Sequence, residues 1–164
     1  MPRKKTLPDS EVLAEARRLF AAGGEKALTF GNLARATGLA ASTLAQRFAN
    51  VEGLAGAAAC AGWRDLLEIA DAMNGATADK GPQGYLKALE AEAVPSLLHL
   101  GARDEEAQRL AGEWRGRVET ALTLRLGQGE KARQAAQALF AAWQGQVLWG
   151  GAEFRIKDLA KRLT

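Results

Sequence analysis

An all-α fold is predicted by three features of the 164-residue sequence: helix-forming composition, glycine and proline placed as punctuation, and apolar residues recurring at three- and four-residue steps. Alanine supplies 35 residues and leucine 23, against five valines and two isoleucines. Small and unbranched side chains lose little freedom in a helix, and the β-branched residues that favour strands are scarce. Charged residues make up 25%, an ordinary share for a globular chain, so disorder is not indicated.

The elements follow in order. Asp9 and Ser10 stand where a helix cap would, before EVLAEARRLF. Val12, Leu13, Ala16, Leu19 and Phe20 then fall on one helix face, and Gly23-Gly24 supplies the stop. Thr29 reads as the cap of a short second helix through Phe30, Leu33, Ala34 and Thr37. Gly38 permits a tight turn into a third short helix, with Leu39, Leu44 and Phe48 facing inward, and Asn50 opens the next helix. Two short helices joined at a glycine and resting on a first helix form a helix-turn-helix unit.

Residues 51–74 are predicted as a long helix, with Leu54, Ala58, Trp63, Leu66, Leu67 and Ala70 as its apolar positions, and GATADKGPQG as the loop after it. A helix over 84–100 is expected to kink or break near Pro95, because proline lacks the interior hydrogen-bond donor. Residues 103–126 form another helix, closed by Gly127-Gln128-Gly129, and 131–150 the most apolar one. On the latter, Phe140, Trp143 and Val147 run down one side, while Leu139, Ala142 and Gln146 form an adjoining strip. More than one apolar stripe is more than a monomer needs, so this helix is expected to pack against a second copy through Phe140, Trp143 and Val147. Core packing within the monomer is the competing account of Trp143 and Trp149.

Charge is unevenly distributed. Residues 1–55 hold eight Lys/Arg against five Asp/Glu, while the remainder holds fourteen of each, so the net excess of three lies in the first third. Confined positive charge is the footprint of a DNA-contacting end, or simply of a solubilising surface. Arg3, Lys4 and Lys5 form a basic arm within residues 1–9 that either lies along a DNA groove or keeps the chain soluble.

The Leu19-Phe20 pair, Thr29, Leu33-Ala34, Gly38-Leu39, Thr43-Leu44, Phe48, Glu52 and Leu54 together resemble the TetR-type bacterial transcriptional regulators over residues 10–56. The rest of the chain is similar only in general layout. The resemblance implies a DNA-binding domain at 10–55, an effector-binding and dimerisation body at 56–164, and pairing through the last long helices. It implies double-stranded DNA with a palindromic operator as partner, and a small apolar effector that releases a repressor from it. The helix over 51–74 would carry motion between the two parts.

Departures from the family pattern are equally visible. Family members usually carry serine or threonine at the position of Ala40, tyrosine at Ala45, an aromatic or histidine at Arg47 and lysine at Val51, side chains that bond to phosphates. What remains for DNA is Thr29, Ser42, Thr43, Gln46 and Arg47, with Lys4 and Lys5 from the arm. Glutamine can pair with adenine and arginine with guanine or a phosphate. Both are also ordinary residues of a solvated helix, and Thr43 can equally pack its methyl against the second helix. Trp63, Tyr85, His99 and Trp114 are the candidates for an effector pocket, against the plainer account that they are core.

An enzyme is disfavoured. The single His99 and single Cys60 lie 39 positions apart, and neither a metal-ligand pattern nor a phosphate-binding GxxxxGKS/T loop is present, so no cofactor or metal is expected. Asp104-Glu105-Glu106 reads as the acidic first turn of a helix. One cysteine excludes an internal disulfide, no apolar run spans a bilayer, and the basic N-terminus lacks a following apolar segment, so a cytoplasmic protein is expected. The rival to a DNA-binding regulator is a dimeric helical module of the same fold that binds a ligand or protein and has weakened or lost its hold on DNA.

Overall fold

The computed structural model describes residues 7–89, 91–150 and 155–163. Every regular element among them is a helix: α1 (Asp9–Gly23), α2 (Phe30–Thr37), α3 (Ala41–Phe48), α4 (Val51–Ala76), α5 (Pro82–Ala88), α6 (Val94–Leu100), α7 (Glu105–Leu126), α8 (Gly129–Trp149) and α9 (Ile156–Leu163).

Two compact units emerge. The first comprises the chain up to Arg64 with Ser96–Ala111. In it α1 packs on α2 and α2 on α3. Val12, Ala16 and Phe20 of α1 are buried together with Leu28, Leu33, Leu39 and Leu44. Each is a position the helical spacing had placed inward, except Leu28, which lies in the loop between α1 and α2. Gly62 of α4 leaves room that Leu97 and Arg17 occupy, so a methyl group there would collide with both.

The second unit comprises Asp65–Pro95 and the chain from Gly112 onward. Trp114 packs against Phe140 and Trp143, with ring centroids 5.8 and 6.3 Å away, and the Arg115 guanidinium lies 5.6 Å from the Phe140 ring. Helix α9 packs on α8 and α5.

Three details differ from expectation. Helix α1 starts at Asp9 with Pro8 as its cap and no side-chain cap bond, so Asp9 is the first helical residue and its carboxylate is available to other partners. The helix expected over 84–100 is two. Pro82 sits in the first turn of α5 and Pro95 is the second residue of α6. A proline in the first turn gives up an N–H that has no helical acceptor anyway, so both prolines start helices and neither kinks one. The break expected near Pro95 is present and begins at Leu89, which is extended (φ −86°, ψ 139°). Finally, Trp143 is buried whereas Trp149 is 86% exposed.

Candidate nucleic-acid interface

The turn between α2 and α3 is fixed from both sides. Thr29 is the cap of α2, its Oγ1 accepting a bond from the Asn32 N–H (3.1 Å), and the Asn32 side-chain amide donates back to the Ala27 carbonyl (2.9 Å). At the other end the Thr37 hydroxyl donates to the Leu33 carbonyl (2.7 Å) and accepts from the Leu39 N–H (3.3 Å). Gly38 between them is left-handed (φ 74°, ψ 11°), a conformation that disfavours a Cβ. The chain leaves α3 through Ala49, which takes φ 62°, and Asn50 accepts from the Gly53 N–H (2.7 Å), capping α4 as its sequence position predicts. With ψ −62° and the Asn50 N–H donating to the Phe48 carbonyl (2.7 Å), Ala49 is the centre of a γ-turn, a strained conformation that the surrounding caps must hold. The helix-turn-helix backbone is therefore tightly specified.

The side chains it presents are few. Ser42 and Gln46 of α3 are exposed, as are Ala40 and Thr29, while Thr43 and Ala45 are half-buried and Phe48 is only partly covered. Thr29 uses an oxygen lone pair for its capping bond, which leaves its O–H to donate elsewhere. Arg47 is not presented with Gln46. Its Nη1 donates to the Leu7 carbonyl (2.8 Å) and to Asp9 Oδ1 (3.1 Å), and its side chain is 25% exposed. Sequence reasoning missed this partner; the two residues are 38 positions apart and no spacing rule links them. Lys4 and Lys5 lie outside the described residues.

Charge sharpens that picture. Within residues 7–55 five cations (Arg17, Arg18, Lys26, Arg35, Arg47) face five acids, so the excess of three in the first third rests wholly on Arg3, Lys4 and Lys5. Several of the five are also engaged: Arg18 with Glu15, Arg35 with the Asn32 side chain, and Arg17 with the Ala58 carbonyl.

The four residues expected around an effector pocket are divided between the two units. Trp63 is buried in the first unit. Tyr85 and Trp114 are buried in the second, Tyr85 donating its hydroxyl to the Ala70 carbonyl (3.3 Å). His99 is exposed and meets the Phe20 ring edge-on at 5.2 Å, with Glu25 Oε1 3.8 Å from its Nε2. It lines a cavity of about 520 Å³ in the first unit together with Phe20, Leu28 and Leu100 and the carboxylates of Glu25, Glu52 and Asp104.

The residues expected at a dimer contact divide similarly. Phe140 and Trp143 are buried within the monomer and Val147 is half-buried. The open face of α8 carries Ala138, Ala141 and Leu148 instead, ending in Trp149, and Leu124 of α7 is 72% exposed. Among the described residues no group of His, Cys, Asp and Glu is arranged to hold a metal ion, and no helix is long and apolar enough to cross a membrane.

This arrangement, a three-helix unit followed by longer helices, is the fold of the TetR-family transcriptional regulators. The structure is similar to that of the TetR-family regulator PfmR from Thermus thermophilus (TM-score 0.58, 18% identity, 92% of this chain and 93% of that one). It is also similar to a chain from Mesorhizobium loti assigned to the same family (TM-score 0.61, 15% identity, 94% and 90% covered). No protein-family model and no curated protein matches the sequence.

Proposed function

We propose that this chain is a dimeric, DNA-binding transcriptional regulator, a repressor whose hold on a palindromic operator is lowered by a small, largely apolar effector. The observation that carries this is the helix-turn-helix unit itself. Its backbone is fixed by side-chain caps and a left-handed glycine, and it holds Ser42 and Gln46 outward on α3. In this assignment residues 10–55 read DNA and residues 56–164 form the body. Gln46 contacts a base edge, Ser42, Thr43 and Thr29 contact phosphates, and the first-turn N–H groups of α2 add a weak anion site beside Thr29. Lys4 and Lys5 supply long-range attraction to the duplex.

Dimerisation is assigned to the open faces of α7 and α8, where Leu124, Leu148 and Trp149 are exposed and apolar. A two-fold pair would set two α3 helices on successive major grooves, about 34 Å apart. An effector that favours another spacing lowers DNA affinity by shifting populations, without touching DNA. The 520 Å³ cavity beside Phe20 and His99 is of a size that holds small molecules, typically about 300–1,000 Å³. The chain acts by binding and catalyses no reaction, and its place of work is the cytoplasm.

A second reading has its own support. Ala40, Ala45 and Val51 offer no phosphate donor, and residues 7–55 carry no net charge. Both favour a helical interaction module that no longer grips DNA.

The test is capture of sheared genomic DNA from the source organism on the purified protein at moderate salt, followed by sequencing. Enrichment of a two-fold symmetric site is expected. A folded dimer that enriches nothing would establish the interaction module instead.

A further inference from the structure

The cavity of about 520 Å³ in the first unit has a lining of two kinds. Its apolar surface is Phe20, Leu28, Val51 and Leu100, brought together from α1, the loop after it, α4 and α6. Phe20, Leu28 and Leu100 are buried, whereas Val51 is left exposed. Its polar surface holds three carboxylates, each from a different part of the chain. Glu25 lies in the loop after α1, Glu52 in the first turn of α4 and Asp104 just before α7.

Asp104 is held in place. Its Oδ1 accepts from the Ala107 N–H (2.8 Å) and from the Cys60 thiol (3.5 Å). Its Oδ2 occupies the space that a Cβ on Gly56 would need, so the carboxylate rests on the backbone of α4. Neither that oxygen nor Glu52 has a hydrogen-bond or ion-pair partner among the described residues. Glu25 has only His99, whose Nε2 is 3.8 Å from Oε1, beyond hydrogen-bonding distance. Arg103, on the same wall, pairs with none of the three.

A ligand that fills this cavity displaces water from those carboxylates. A neutral apolar body would leave them without partners, and an anion would add like-charge repulsion. A protonated amine supplies both the opposite charge and the N–H donors, while its organic part covers the apolar wall.

We propose that this cavity binds a small organic amine with an apolar body, and that such an amine is the effector. The second half rests on the regulator reading; the site itself does not. The contacts fall on Val51 and Glu52, which open α4 only a few residues after Phe48 ends α3. An occupant therefore bears on the exit from the helix assigned to DNA and shifts its setting without entering the duplex.

Three probes with one apolar body separate charge from size: phenylbutylamine, phenylbutanol and phenylbutyrate. Calorimetric titration of the full chain should find the amine at least roughly tenfold tighter than the alcohol, about the worth of one charge-assisted hydrogen bond, with the carboxylate weakest. Glu25→Gln and Glu52→Gln, both at exposed positions, should each weaken the amine by about threefold and leave the alcohol unchanged. Ala55→Leu, which takes up room on the α4 wall, should weaken amine and alcohol alike. Thermal melting confirms that each variant is folded. Equal binding of amine and alcohol overturns the proposal, as does an amine affinity untouched by both glutamine variants, or no binding of the amine by the wild type. A saturating amount of the amine is then added to the protein on its captured duplex, where affinity for DNA should fall by at least about fivefold. An unchanged DNA affinity overturns the amine's role as effector. A protein that binds the amine but no duplex upholds the site and removes the regulator reading.

Discussion

The Arg125 guanidinium lies 4.6 Å from the centre of the Tyr85 ring while bonding to the end of another helix. Its Nη1 donates to Asn74 Oδ1 (2.7 Å), and its Nη2 to the carbonyls of Asn74 (3.1 Å) and Thr77 (3.2 Å). Carbonyls in the last turn of a helix have no partner within it, so Arg125 closes the C-terminal end of α4 with a charge of the favourable sign. The Tyr85 ring beneath is fully buried and contributes a cation–π contact.

Replacing Arg125 with alanine is therefore expected to destabilise the protein by about 2–4 kcal/mol, summing lost charge-assisted hydrogen bonds and the ring contact. Lysine should recover less than half of that, because an ammonium is a point donor and cannot reach Asn74 and Thr77 while stacking on a ring. Urea unfolding followed by tryptophan fluorescence measures both. A lysine variant as stable as the wild type would show that charge alone matters here.

Alkaline pH should weaken the fold through two buried acids. Burial pushes the Tyr85 hydroxyl up to about 12 from an ordinary 10, against the opposing pull of Arg125. Burial also pushes the Cys60 thiol up to about 11 from an ordinary 9, with the Asp104 carboxylate beside it adding to the rise. In each case the unfolded chain ionises first. Stability is thus fully present below pH 9 and is lost as pH climbs from about 9 to 12, by an order of 2–3 kcal/mol per group. Denaturant midpoints across that range check the slope. A companion observation is slow reaction of Cys60 with an aromatic disulfide reagent at pH 8 unless the protein is unfolded. Rapid reaction in the folded state would mean that the thiol is neither buried nor raised.

Self-association should depend on the exposed apolar end of α8. Changing Leu148 and Trp149 together to serine is expected to weaken dimerisation by at least about tenfold, because buried aromatic anchors dominate most interfaces. Changing Phe140, which lies in the monomer's core, should instead lower the melting temperature. Sedimentation at several concentrations tells them apart. If the serine pair leaves the association constant untouched, the dimer face lies elsewhere.

Local chemistry is what the sequence displays best. Thr29, Gly38, Asn50 and the paired Gly23-Gly24 act through neighbours within a few positions, and each does in the structure what its residue type and spacing predict. The break expected near Pro95 is present, but it begins at Leu89 and Pro95 opens the next helix; proline's missing donor matters only inside a helix, and periodicity alone does not say where the inside begins. The open face of α8 was illegible for a related reason. Large aromatics and small alanines both count as apolar in a stripe, but the large ones filled the monomer's core and left Ala138 and Ala141 open. The pairing of Arg47 with Asp9 was invisible because it joins helix ends 38 positions apart through one side chain.

The alanines of α3 allow a direct test of whether DNA binding has been lost or only reduced. Ala40 caps α3 with suitable backbone geometry (φ −69°, ψ 140°) but has no side-chain bond to offer the first N–H groups. Its carbonyl already accepts from Thr43 and Leu44 (3.0 and 3.2 Å), so a serine would find the helix start in place. Ala40→Ser should stabilise the protein by about 1 kcal/mol, a sizeable effect on an eight-residue helix. The same hydroxyl can donate to a phosphate while its lone pair caps the helix, so duplex affinity should rise at fixed salt. A rise in both quantities means that the reading unit still docks on DNA and lacks only donors. A gain in stability with no gain in affinity means that α3 does not approach the backbone at all, and the interaction-module reading then prevails.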